Sequence, residues 1–400
     1  MSSPAGERRE GGQPGSAPSL AVLLLVTTPV RILYNTAYRM VYPFLPEFSR
    51  GLNVTPETLT QVLALRGVLG LAGPVFGAVP DRFGQRLAIL LGAAIFIVGA
   101  AAAALWPSLP TFALLIFAVL IAKALHDPAL LAHLGDRTPY AQRGRVMGLS
   151  EFGWSGATFI GIPLLGLLIA RSGWQAPFWP LAGLGVLAFL GLRLVIRPRP
   201  ASGGHVRAPF QWRALLRPHV LAVLSYGGLT SGANEMLNVV YGGWLERDFH
   251  LSVAQLGLTV TVIGAAELAG EGAVAALADR VGKRQMVLGA TVLAAVAYAA
   301  LPALAGNLWL ALPGVFLVYL GFETGIVANI PLLSELAPEA RGTILSTSGA
   351  LHGLGRMAGA LLGAWLFSQD FAWVGWAAAA VNVFVAALVW RFVRERADHA

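Results

Sequence analysis

The stretch Gly77-Ala78-Val79-Pro80-Asp81-Arg82-Phe83-Gly84-Gln85-Arg86 returns 198 residues later, shortened, as Asp279-Arg280-Val281-Gly282-Lys283-Arg284. The same offset carries Arg143-Gly144 onto Arg341-Gly342. The chain therefore reads as an internal duplication. Each copy places its Asp-Arg-x-Gly segment after a second long apolar run and its Arg-Gly after a fourth. Two copies that put equivalent loops on the same side share one orientation, so the halves relate by an axis along the membrane normal.

The apolar runs decide the solvent. Of 400 residues, 56% are hydrophobic and 12% charged, whereas a soluble domain carries about 25% charged residues. A bilayer crossing needs roughly 20 mostly apolar residues, and about twelve such stretches follow Leu20. They are long and continuous, unlike barrel strands of about ten residues with alternating polarity, and helices satisfy their backbone groups internally in lipid. The expected fold is an all-α membrane protein of twelve transmembrane helices in two six-helix halves. Its divisions are a disordered cytosolic tail at 1–18, an N-terminal bundle at 19–196, a cytosolic linker at 197–218, a C-terminal bundle at 219–392 and a cytosolic tail at 393–400. The prolines of Tyr42-Pro43-Phe44-Leu45-Pro46 are expected to end helix 1 near residue 45. Trp106, Trp174, Trp179, Trp309 and Trp373 fall near span ends and read as interfacial anchors.

A net charge of +8 would suit nucleic acid, but the basic residues are placed by topology. Of the 28 Lys and Arg, 19 fall in loops and tails on one side and three, Arg50, Arg171 and Arg247, on the other. The positive-inside rule then puts both termini in the cytoplasm, and the Ala-, Gly- and Arg-rich composition points to a bacterial inner membrane. Nucleic acid is not an expected partner; the lipid bilayer is. With zero cysteines, disulfides and thiolate metal sites are excluded. His126 beside Asp127 and His133 near Asp136 lack a His-x-x-x-His or Glu-x-x-His pattern, so no metal and no cofactor are expected. No Walker A sequence occurs, which argues against ATP as driver.

The repeated segment resembles motif A of the major facilitator superfamily, a Gly, then Asp-Arg, then Gly and a basic residue, in the expected loop. With twelve spans, a parallel repeat and a basic central linker, the resemblance covers nearly the whole chain. It implies that Gly77 is a close-contact point between helices, that Asp81 is a cytosolic latch toward the other half, and that Arg82, Gly84 and Arg86 support it, with Asp279 and Arg280 in the second copy. Antiporters of the superfamily also carry Gly-Pro-x-x-Gly-Gly in helix 5. Here Ile162-Pro163-Leu164-Leu165-Gly166-Leu167 has lost two of those glycines, while Gly153, Gly156 and Gly161 keep the helix rich in small residues. The resemblance also implies a monomer.

Charges within membrane spans are costly and face a cavity or a partner. Eleven fall there: Arg31, Arg39, Arg66, Lys123, Asp127, Glu151, Glu235, Glu267, Glu271, Glu323 and Arg356. None lies inside helices 3, 6, 9 or 12, so the other eight are expected to line the centre. Residues four apart share a helix face. Arg31, Asn35 and Arg39 form one stripe, Tyr34, Tyr38 and Tyr42 the next, Glu267 and Glu271 a third, and His352 with Arg356 a fourth. Lys123 should pair with Asp127. The first half holds four cations and two anions and the second one cation and four anions, so the halves are complementary.

The expected substrate cavity is Arg31, Tyr34, Asn35, Tyr38, Arg39, Arg66, Asn234, Glu235, Asn238, Glu323, His352 and Arg356. Proton carriers are expected among Glu267, Glu271, Glu323 and Glu235, because neighbouring carboxylates resist joint ionisation. The function read from these features is secondary active transport by alternating access, as proton-coupled export of amphipathic small molecules. A lipid-like amphiphile or organic anion is the alternative substrate, and a non-transporting receptor or an integral-membrane enzyme the alternative class.

Overall fold

The structure is a computed structural model describing residues 19–138, 146, 149–150, 152–197, 212–336 and 340–393. Arg143, Gly144 and Glu151 lie outside the described residues, as do the surroundings of Gly77, Asp81, Arg341 and Gly342. All regular structure among the described residues is helical, and it forms twelve rods and one short helix, Trp212–Leu215. Among the described residues nine helices are long and apolar enough to cross a bilayer on their own: Leu20–Arg39 in span 1, Gln85–Leu105 (span 3), Leu109–Arg137 (span 4), Phe152–Ser172 (span 5), Phe178–Val195 (span 6), Val253–Val281 (span 8), Lys283–Leu304 (span 9), Leu308–Leu333 (span 10) and Phe371–Phe392 (span 12). The remaining three rods are span 2, broken by a 3-10 turn at Gly70–Ala72, and the more polar spans 7 and 11, Pro218–Phe249 and Arg341–Gln369.

Turn chemistry explains where the rods stop. At the basic end, Gly84 and Gly282 adopt φ 91° and 92°, a region essentially closed to residues with a Cβ. Replacing either glycine with Ala is expected to cost roughly 1–3 kcal/mol, read as a lowered Tm of the purified protein. At the opposite end, Asn53 and His250 take left-handed caps at φ 55° and 54°. There Thr55 and Ser252 cap the following helices through Thr58 N and Gln255 N, satisfying free N–H groups of the first turn. The repeat thus extends to turns whose sequences differ.

Helix 1 departs from expectation. It is helical over Leu20–Arg39 and again over Val41–Leu52, with a kink at Phe44 (φ −104°, ψ 15°). Pro43 and Pro46 bend the rod instead of ending it, since a proline in the first turn after a break lacks only an N–H that has no intrahelical partner anyway. Trp106, Trp179, Trp309 and Trp373 are exposed at span ends, as anchors should be. Trp174 instead packs edge-on to Phe178 and over Gly51, whose Cβ would meet its ring at 2.3 Å.

The halves meet at glycines. A Cβ on Gly242 would lie 2.3 Å from Pro43 O, one on Gly67 would lie 2.4 Å from Gly353 O, and one on Gly166 would lie 3.3 Å from Gly257 Cα. Span 5 approaches span 1 in the same way, with Gly153 against Arg31, Gly156 against Ile32 and Gly161 against Thr36. Small residues permit this close backbone approach. A π-helical turn, Ala157–Gly161, accommodates it. At the end opposite Gly84, Arg50 bridges the halves through Glu246 at 2.8 Å while also holding Glu47 at 2.7 Å.

Candidate functional site

Between the halves lies a polar cavity of about 220 Å³. Its walls are Tyr38, Arg39 and Tyr42 of span 1, Trp154 of span 5, Ser231, Asn234 and Asn238 of span 7, Glu267 of span 8, Tyr319, Phe322, Glu323 and Ile326 of span 10, and His352 and Arg356 of span 11. No lining residue comes from spans 3, 6, 9 or 12, as the distribution of charge anticipates, but none comes from spans 2 or 4 either, whose Arg66, Lys123 and Asp127 lie behind the wall.

Two ionic clusters bind the halves at this level. Arg39 donates through Nη1 to Glu267 Oε2 at 2.9 Å and through Nη2 to Oε1 at 2.8 Å. Both residues are buried, and the guanidinium lies 4.6 Å from the Trp154 ring centre. This is a fork-on-fork pair, the geometry that makes arginine suited to a buried carboxylate. The second cluster centres on Glu235, 1% exposed. Tyr42 donates its hydroxyl to Oε1 at 2.7 Å, Arg356 donates to Oε2 at 2.8 Å, Asn238 donates at 3.2 Å, and Arg66 Nη2 approaches at 3.7 Å. Arg66 also donates to the Tyr42 hydroxyl and stacks 4.1 Å over the Tyr38 ring. Tyr319 donates to Asn238, which in turn donates to Asn234 at 2.9 Å. First-half cations thus meet second-half anions, as the sign asymmetry of the halves leads one to expect.

Several predicted cavity residues lie behind the wall. Arg31 turns to span 5, donating to Ser150 O at 2.8 Å and Ser150 Oγ at 2.7 Å, and approaches Asp127 at 3.9 Å. Asn35 donates to Gly153 O at 2.9 Å and accepts from Lys123, which pairs with Asp127 at 2.9 Å. Tyr34 is fully buried against Phe96 and His126. Arg66 and Glu235 form a layer beneath the lining. The glycine-rich face of span 5 explains this arrangement: it comes so close to span 1 that Arg31 and Asn35 reach its backbone before they can reach open space. Glu267 lines the cavity, while Glu271, one turn toward the basic end, is half-buried and outside the lining.

Ser231, Tyr319, Phe322 and Ile326 are lining residues that sequence reasoning does not select, while Tyr42 enters it only through its aromatic stripe and Trp154 only as an aromatic that could line the cavity or anchor at the interface. The i, i+4 spacing of Tyr319 and Glu323 is the available signal on span 10.

Of the motif residues, Arg82 is exposed over Phe83 and Asp279 and Arg280 are exposed. Arg86 donates to Arg193 O at 3.3 Å, and its repeat equivalent Arg284 donates to Trp390 O at 3.0 Å and Val393 O at 2.6 Å. These arginines cap the carbonyl ends of spans 6 and 12, where the helix dipole favours a cation. They join each motif to the outermost helix of its own half.

A polar, charge-lined cavity between two packed helical halves, with apolar rods facing outward, is the arrangement of a multi-pass membrane transporter. The chain belongs to the Major Facilitator Superfamily, whose family model matches residues 28–240 and 227–400. It is 27% identical over 348 residues to the uncharacterized MFS-type transporter YceJ of Bacillus subtilis, covering 85% of this chain and 88% of that one. It is also 27% identical to the class C tetracycline resistance protein of Escherichia coli, covering 81% and 84%. The fold matches the inward-open xylose transporter XylE of E. coli with TM-score 0.74, 18% identity and coverage of 95% and 97%.

Proposed function

We propose that this protein is a proton-coupled exporter of amphipathic small molecules. In this reading it works as a monomer in a bacterial inner membrane, with both termini in the cytoplasm. The observation that carries it is the Arg39–Glu267 pair, which joins the two halves across the cavity. A pair made only while the halves meet is broken when they part. A carboxylate moved between paired and unpaired surroundings binds and releases a proton. Glu267 is therefore the leading carrier, with Glu271 one turn along the same span.

The contacts at Arg50–Glu246 and Gly242–Pro43 close the end opposite the basic loops. With the basic loops cytoplasmic, this is a state closed on the outer side, which suits a protein that loads from the cytoplasm. Tyr38, Trp154, Tyr319 and Phe322 offer aromatic faces beside charge, which suits amphipathic ligands. The similarity to a tetracycline resistance protein supports the same direction. Glu267→Gln combined with Glu271→Gln should abolish gradient-driven transport in proteoliposomes while leaving the protein folded; undiminished transport would remove both residues from the coupling step.

A second reading, a lipid-like substrate, is favoured by one feature. An apolar groove of about 530 Å³ between spans 1, 5 and 6 reaches Thr36 and Gly161 from the outward face. Headgroup flipping in protein-containing liposomes separates this reading from the first.

A further inference from the structure

We infer that the cavity's ligand is zwitterionic, with a cationic end held by Glu323 and an anionic end held by Arg356. This inference rests on the transport reading above and names the substrate class of the same site. Some charges on the wall are already spent. Arg39 is spent, because both of its terminal nitrogens go to Glu267 and its face is covered by Trp154. Glu235 is more than spent, because it accepts from Tyr42, Asn238 and Arg356 and also has Arg66 at 3.7 Å.

One carboxylate shared by two guanidiniums leaves a surplus positive charge. That surplus falls on Arg356. Its side chain is 28% exposed against 5% for Arg66, and its hydrogen bond to Glu235 uses Nη1 alone. Glu323 is the complement. It lines the same cavity but has no hydrogen bond or ion pair among the described residues. Its backbone is held against span 8, where a Cβ on Gly270 would meet Glu323 Cβ at 3.1 Å. The charges that act on it most strongly are the carboxylates of Glu267 and Glu271, ahead of the cations Arg39 and Arg356, so its side of the cavity favours an ammonium group.

A charge removed from water without a partner is expensive. A purely cationic ligand would neutralise Glu323 and leave the Arg356 surplus; a purely anionic one would do the reverse. A ligand carrying both charges satisfies both walls at once. The size agrees: about 220 Å³ is below the roughly 300–1,000 Å³ of drug-sized pockets, which favours a small solute with one apolar group against the aromatic side chains.

The test is binding of matched probes to the purified full chain by calorimetry: phenylalanine, phenethylamine and 3-phenylpropionate, with tryptophan, tryptamine and indole-3-propionate as a second set. The zwitterion of at least one set should bind about tenfold tighter or more than both singly charged relatives, the scale of one charge-assisted hydrogen bond. Glu323→Gln should erase its advantage over the acid, and Arg356→Gln its advantage over the amine. If Arg356→Gln does not fold, Glu323→Gln decides alone, because Glu323 anchors no partner. An amine or acid that binds as tightly as its zwitterion, an advantage that survives Glu323→Gln, or no binding by any probe at millimolar concentration overturns the inference. Proton efflux evoked by amphipathic cations in liposomes would still uphold the transport reading, so the two fail separately.

Discussion

Arg39→Ala is expected to shift the conformational equilibrium toward the state open at the Arg50 end by about two to three orders of magnitude. Removing one member of a buried pair leaves the other charged and unpartnered, at a cost of about 3–5 kcal/mol. Arg39 and Glu267 are 8% and 4% exposed, with two short bonds between them. The cost falls on the state in which the halves meet here and not on one in which Glu267 reaches water. The double variant Arg39→Ala/Glu267→Ala should be milder than Arg39→Ala alone, because no lone charge remains. The chain has no cysteine, so cysteines at Pro46 and Gly243 report without background. These positions face each other across the halves, a Cβ on Gly243 lying 3.9 Å from Pro46 Cγ. Bifunctional crosslinking between them should fall sharply in Arg39→Ala and recover in the double variant. Equal crosslinking in all three proteins would show that the pair does not hold this end closed.

Gly242→Val should open the same end by a steric route and arrest transport. The first carbon of any side chain there would sit 2.3 Å from Pro43 O and 2.7 Å from Tyr42 O. Both obstacles are backbone, so the only relief is separation of spans 1 and 7. A Cβ on Gly272 or Gly289 would meet no neighbouring atom within 4 Å. Changing either to Ala should leave transport and stability nearly unaltered, since helix propensity favours Ala over Gly. Normal transport by Gly242→Val would show that the contact is not needed for the cycle. At Gly242 the closure is backbone against glycine with no interlocked side chain to extract, which suits a contact broken and remade in each cycle, and Arg50–Glu246 adds a side-chain link at the same end.

Much of this architecture is legible in the chain. An offset of 198 residues reveals the two halves, because an exact spacing of Asp-Arg-x-Gly segments survives where the surrounding apolar residues have diverged. The confinement of buried charge to eight helices narrows the cavity to those eight, because charge in lipid needs a cavity or a partner; six of them line it, while the charges of spans 2 and 4 serve as partners behind the wall. The sign imbalance between the halves anticipates that first-half cations meet second-half anions, as Arg39 meets Glu267 and Arg66 approaches Glu235.

What stays hidden in the sequence has a common cause. Helical periodicity gives a residue's bearing on its own helix, not the distance to the next helix. Arg31, Asn35 and Arg39 share one stripe, yet only Arg39 faces the cavity, because Gly153 and Gly156 bring span 5 against the other two. The position of Trp174 near a span end predicts an interfacial anchor but not its half-buried packing over Gly51, which the sequence does not bring near it. Prolines 43 and 46 resemble a helix terminus in sequence and act as a kink because the Phe44 backbone absorbs the break. Arg86 looks in sequence like part of a latch between halves, while its hydrogen bond and those of Arg284 run to the ends of spans 6 and 12. Those carbonyls lie more than a hundred residues away in the chain.

Exchange of protons for an amphipathic solute through this cavity is tested most directly by proton movement in liposomes that contain the purified protein, an internal pH dye and an imposed pH gradient. Cationic, zwitterionic and anionic amphiphiles are added in turn. The expected result is a substrate-evoked collapse of the gradient that is absent from empty liposomes and from the Glu267→Gln/Glu271→Gln protein. A folded protein that moves no protons with any member of the panel would contradict proton-coupled exchange.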